Sequence, residues 1–150
     1  MNSRKLALVL GCLLFAAANA FAQSVSTPPA GSAERKAIMD VLRVPCEQDL
    51  GRKVIFKVQH LRVSGDWAFA RVVPVQPDGS DIDYSRTQYR EDLEEGAFDA
   101  EAETLLRREG GQWKLVEWRF GASDTEVDLW LTKYRFPKSL LDQRIITAIS

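Results

Sequence analysis

KVIFKVQHLRVSGDWAFARVVPV, residues 53–75, holds two apolar runs on either side of Ser64-Gly65-Asp66. Val54, Phe56 and Val58 alternate, as the side chains on one face of a strand do. Leu61 and Val63 continue on the opposite parity, so a bulge near Gln59 or His60 is expected to restore a single inward face. Gly65-Asp66 then reverses the chain, and Trp67, Phe69 and Val73 begin the return strand. Pro77-Asp78-Gly79 ends it. The unit is a β-hairpin, and the sheet built on it is expected to be mainly antiparallel.

A second hairpin follows about one-third of the chain later. Leu105 and Leu106 lead into Gly110-Gly111, and Trp113, Leu115, Val116, Trp118 and Phe120 return. Both parities of that last strand are apolar, which predicts cover on both faces and a central place in the sheet. Trp67 and Trp113 each follow a glycine turn. Their surroundings share too little for a repeat, and both rings are read as core.

Helices flank the hairpins. Ser32 is a suitable N-cap, and Ile38, Val41, Leu42 and Pro45 fall at i, i+3, i+4 and i+7. Pro45 is expected to bend or interrupt this helix, and Gly51 to stop it. Near the other end, Ser123 and Glu126 have capping-box spacing. Val127, Trp130, Leu131 and Tyr134 then form an apolar stripe closed by Pro137, and residues 139–150 add a short helix or an apolar tail. Between the hairpins runs a long acidic segment in which Thr87–Glu95 reads as a short helix closed by Gly96. The fold class is α+β. An N-terminal helix, two hairpins joined by a long acidic crossing and a closing C-terminal helix make one domain over residues 33–150.

The start of the chain reads as a targeting signal. Arg4 and Lys5 precede the apolar run Leu6–Ala18, and Ala18-Asn19-Ala20 and Ala20-Phe21-Ala22 both offer small residues for cleavage. Residues 1–22 are thus expected to be a signal peptide, residues 23–32 a flexible leader, and the mature protein periplasmic or secreted. Cys12 is not read as a lipidation site, because apolar residues continue well beyond it. Of 20 basic residues Arg4 and Lys5 leave with the signal, so 18 remain against 21 acidic ones. That balance argues against a nucleic-acid partner. No segment of the mature chain reads as a transmembrane span.

Cys46 is then the one cysteine left, read as a buried thiol on the inner face of the first helix. His60 is the only histidine and is placed at the bulge, pointing to solvent. One histidine and one cysteine make no zinc motif. Asp78, Asp81 and Asp83 fail the calcium-loop pattern, because Tyr89 stands at the twelfth position counted from Asp78. No nucleophile elbow or phosphate loop occurs. No catalytic residue, metal site or cofactor is assigned.

The long crossing is the best place for a contact surface, since long connections in small domains are often functional. Asp81, Asp83 and Glu94 would steer a basic periplasmic partner, with Tyr84, Tyr89 and Phe98 as aromatic anchors.

The segments ERKAIMDVLR, LRVSGDWAFARVVPVQPDG, LLRREGGQWKLVEWRFGASD and DLWLTKYRFP together resemble small exported proteobacterial proteins of cystatin-like or NTF2-like fold. The resemblance covers nearly the whole mature chain, and it specifies a fold rather than a chemistry. With size and compartment, it leads to a non-enzymatic binding module, such as an inhibitor or immunity-type protein for an envelope-active enzyme. The alternative it implies is a cavity enzyme or small-ligand carrier. That reading would use an aspartate base, with Asp66, Asp83 and Asp124 as candidates, and a tyrosine such as Tyr84 or Tyr89.

Overall fold

The computed structural model describes residues 24–148; the expected signal peptide, with Cys12, lies outside them. Helix α1 (Ala33–Leu50) is followed by strands β1 (Ile55–Ser64) and β2 (Trp67–Val75). The crossing carries a 3-10 turn (Tyr84–Arg86) and the short helix α2 (Arg90–Glu94). Strands β3 (Ala102–Glu109) and β4 (Gln112–Phe120) precede α3 (Val127–Tyr134), a second 3-10 turn (Lys138–Leu140) and α4 (Gln143–Ala148). The four strands form one antiparallel sheet in the order β1-β2-β3-β4.

Helix α1 begins as its sequence dictates. The Ser32 hydroxyl accepts the Arg35 amide at 3.2 Å, and Gly51 closes the helix in the left-handed region. The helix is continuous through Pro45, so of the expected bend or interruption the interruption does not occur. Ile38, Met39 and Leu42 pack on one face of the sheet, against Leu61, Val63, Ala68, Ala70, Val72, Leu106 and Trp113. The opposite face is covered by α3 and the chain after it. There Val127, Trp130, Phe136, Leu140 and Leu141 meet Phe69 and Leu105, with Trp67 and Val116 partly buried alongside. The domain has three layers, and the two tryptophans lie on opposite sides of the middle one.

The bulge in β1 falls where the parity slip predicts. Val58 pairs with Val72 and His60 with Arg71, so Gln59 is the extra residue. Phe56, Val58, Leu61 and Val63 consequently share the α1 face. Strand β4 carries a second bulge that the sequence reading missed. Leu106 pairs with Leu115 and Leu105 with Glu117, leaving Val116 unopposed. Trp113 and Leu115 before the bulge, and Trp118 and Phe120 after it, therefore all face α1. Both parities are apolar because of the slip. The central position expected for β4 is wrong: it is an edge strand.

Other local expectations also need correction. The Ser123–Glu126 capping box does not form; α3 starts at Val127 with no side-chain cap from Glu126. Within the segment read as a leader, Ser26 and Val63 exchange two backbone hydrogen bonds of 2.9 and 2.8 Å. His60 does not point to solvent. It is half-buried on the α3 face, its ring nitrogen Nε2 donates to the Leu140 carbonyl at 2.6 Å, and burial lowers its pKa. Cys46 is buried on the inner side of α1, on the other side of the sheet, so the fold keeps the two apart.

Cys46 contacts Leu50, Val54 and Ile82 and has no exposed surface. Burial, then the charges of Asp49 and Glu47, push its thiol up to about 12. Since only the thiolate attacks, labelling of the native protein by a maleimide at pH 8 should be at least about a hundredfold slower than that of the urea-unfolded chain. Equal rates would show that Cys46 is open to solvent and unprotected.

Candidate functional site

The crossing, residues 76–101, joins two adjacent antiparallel strands that a short turn would have linked. It is held from beneath. Ile82 is buried in the cluster around Cys46, and Tyr84, Tyr89 and Phe98 pack on Phe120 with ring centroids 6.1, 5.2 and 5.8 Å away. Tyr84 and Tyr89 also meet Phe98, at 4.6 and 5.1 Å. The Tyr89 hydroxyl donates to Asp49 of α1, and Gln88 donates to the same carboxylate at 2.6 Å. Burial raises the pKa of both tyrosines, that of Tyr89 to about 12.

The expected contact residues are thereby split into two groups. Tyr84, Tyr89 and Phe98 turn inward as an aromatic plug. Asp81, Asp83 and Glu94 are exposed, together with Glu91, Asp92, Glu95 and Asp99. Asp83 accepts from the Ser85 hydroxyl and amide, which hold its carboxyl below the usual range. Asp78 is held low by Ser80 in the same way. Asp81 pairs with Lys57 at 2.9 Å. Asp78, Asp81 and Asp83 are thus committed separately to turns and to a strand. Among the described residues, no group of three or more His, Cys, Asp or Glu is placed to hold a metal ion, and no helix is long and apolar enough to cross a membrane.

Gly121 is where the crossing touches the end of β4. Its φ is +81°, and a Cβ there would sit 2.7 Å from Tyr89 Cε1 and 3.3 Å from Phe98 Cε2. Gly121→Ala should therefore cost about 1–3 kcal/mol through backbone strain and displaced rings. Limited proteolysis should report it as faster cleavage within residues 83–97. An unchanged melting temperature and cleavage pattern would show that the plug tolerates the methyl group.

An open groove of about 600 Å³ runs beside the plug, lined by Pro45, Gln48, Asp49, Tyr89, Trp118, Arg119 and Phe120. A second hollow of about 300 Å³ shares Tyr89, Arg119 and Phe120 and continues past Gly121 to Asp124.

The sequence reading missed one cluster altogether. His60 pairs with Arg71, Arg71 with Glu103, and Glu103 with Arg119. One row of ionisable residues therefore crosses all four strands on the α3 face. Arg71 is 7% exposed and bridges Glu101 (2.9 Å) and Asp142. Thr125 donates to Glu103 at 2.9 Å, and Arg119 lies 3.6 Å from Glu126. Desolvation raises the pKa of both Glu101 and Glu103. The signal was there, since Arg71 follows Trp67 and Phe69 on the same inward parity. Of the candidate bases, Asp66 sits in the β1–β2 turn and Asp124 on the rim of the second hollow. Neither joins this row.

Comparison with family models, curated proteins and solved structures gives no match.

Proposed function

We propose that this chain is a non-enzymatic binding module of the periplasm, on a cystatin-like or NTF2-like sheet, that presents its acidic crossing to a basic partner. An inhibitor or immunity-type protein for an envelope-active enzyme fits this role. The observation that carries the reading is the two-sidedness of the crossing. Nine acidic residues and two basic ones stand in residues 76–101. The rings anchor the segment, while its carboxylates, apart from the half-buried Glu101, are exposed. Like charges on one short segment repel one another, a cost that complementary charge on a partner removes. Such a surface speeds association and selects against acidic partners.

The tyrosines are unsuitable for testing this, because removing them would take out the plug. Asp81→Asn, Glu91→Gln, Glu94→Gln and Glu95→Gln combined leave the rings in place. Captured at low salt, basic periplasmic proteins should associate at least about tenfold more slowly with this variant than with the parent. Equal capture by both, at low and at high salt, would remove the crossing as the contact surface.

One observation favours the second reading, a cavity enzyme or small-ligand carrier. The Asp49–Tyr89 pair lines the larger groove and supplies the aspartate and tyrosine that such a site uses. Ligand binding that is lost in Asp49→Asn while capture of basic proteins persists would support it.

A further inference from the structure

We infer that the open edge of β4 binds an extended basic segment of the partner as a fifth strand. The inference rests on the binding reading above and names how the partner is held.

The two edges of the sheet differ at one end of β1. At β1, Ser26 already exchanges both backbone bonds with Val63. At β4, among the described residues, no backbone group outside the sheet bonds residues 112–120. The direction of the free groups follows from the ladder. The Arg108 amide donates toward β2, to the Asp66 carbonyl, and the Asp99 amide donates to the Gly121 carbonyl at 3.4 Å. In an antiparallel ladder successive residues alternate in which neighbour they bond. Arg108 and Thr104 therefore turn toward β2, while Glu103 and Leu105 turn toward β4. Glu117, Arg119 and Gly121 bond inward. The amides and carbonyls of Trp118 and Phe120, which stand opposite Thr104 and Ala102, point away from the sheet.

The residues that carry those outward groups line the groove. Its wall takes Trp118 and Phe120 from the α1 face of the strand and Arg119 from the other, so the groove follows the strand edge itself. The hollow beyond continues along the backbone from Arg119 to Asp124. Upstream, the Val116 bulge breaks the edge, a common guard against indiscriminate pairing. The unguarded part is Glu117–Phe120, where the groove lies.

Charge selects the occupant. Asp49, Asp92 and Asp124 line the two hollows, against one cation, Arg119. Arg119 already lies by Glu126 and opposite Glu103. A second copy of this acidic surface would bring like charges together. In an extended segment with basic residues at alternate positions, the apolar residues cover Pro45, Trp118 and Phe120 on the α1 face, and the basic ones fall on the opposite face with Glu117 and Glu126. Backbone bonds then supply affinity and the alternate side chains supply selection.

The test uses the purified protein with a synthetic capped peptide of alternating lysine and valine. A second peptide carries N-methyl groups on alternate residues along one edge, with the same charge. The unmodified peptide should slow amide exchange at Trp118 and Phe120 but not at Arg119. N-methylation should weaken binding at least about tenfold, since it removes backbone bonds and leaves the charge. Equal binding of both peptides, lost when the crossing is neutralised, would overturn strand addition and leave the acidic surface standing. Absence of binding, or self-association through protected Trp118 and Phe120 amides, would also overturn the basic-segment inference.

Discussion

Arg71→Ala is expected to destabilise the protein by about 3–5 kcal/mol, among the largest effects of any single change. The guanidinium is buried between Glu101 and Asp142, whose side chains are 14% and 20% exposed, and it stands opposite Glu103 in the ladder. Its removal leaves three carboxylates close together with little water. The cost is then mostly that of charge left uncompensated, and it exceeds what the ion pairs contribute net. The same change loosens the C-terminal segment, because Asp142 is one of its attachments to the sheet. His60 and Arg62 supply others through the carbonyls of Leu140 and Ser139. Urea unfolding measures the loss. Adding Glu101→Gln and Asp142→Asn to Arg71→Met should restore part of it, since the volume is kept and two of the orphaned charges are gone. If Arg71→Ala melts within a degree or two of the parent, the row is solvated and carries no such burden.

Trp113→Ala should cost a similar amount, about 3–5 kcal/mol, through the cavity it leaves. The ring is 8% exposed, packs in the cluster formed by α1 and the sheet, and is covered by Arg108 at 4.4 Å from its centroid. Trp67 follows its turn in the same way but is only partly buried. It touches Tyr134 and Phe136, and Arg107 lies over it. Trp67→Ala should therefore cost less, about 2 kcal/mol. The order of the two losses, read from thermal or urea unfolding, checks the assignment of each ring to its layer. A larger loss at Trp67 would mean that the α3 side holds the principal core.

Local chemistry predicted much of the scaffold. The Ser32 cap, the Gly51 stop and the stripe from Val127 to Tyr134 each depend on residues within one or two helical turns, and each is observed. The β1 bulge was legible because Val58 and Leu61 differ in parity within one strand. The same slip between Leu115 and Trp118 was equally visible. It was misread as two covered faces, because an apolar residue at the bulge, Val116, fills the gap in the alternation. The capping box failed for another reason. Thr125, which donates to Glu103, accepts the Val127 amide at 3.4 Å, so the helix starts later than the box would place it.

The candidate site was legible by halves. Composition marked the crossing as acidic and aromatic, but not which side each residue type would take. Tyr84, Tyr89 and Phe98 turn inward because Phe120 and the end of α1 offer apolar surface there, and those groups lie far away in the chain. By itself the sequence determined the two hairpin turns, the limits of α1, the bulged inner face of β1 and the apolar stripe of α3, and that a long charged segment joins the hairpins. These depend on residue period and on dihedral preferences, both set by near neighbours. Only the tertiary structure decided that β4 is an edge, that His60, Arg71, Glu103 and Arg119 align, and that a groove follows Trp118 to Phe120. Each of those depends on pairing register between strands tens of residues apart, which no local period encodes.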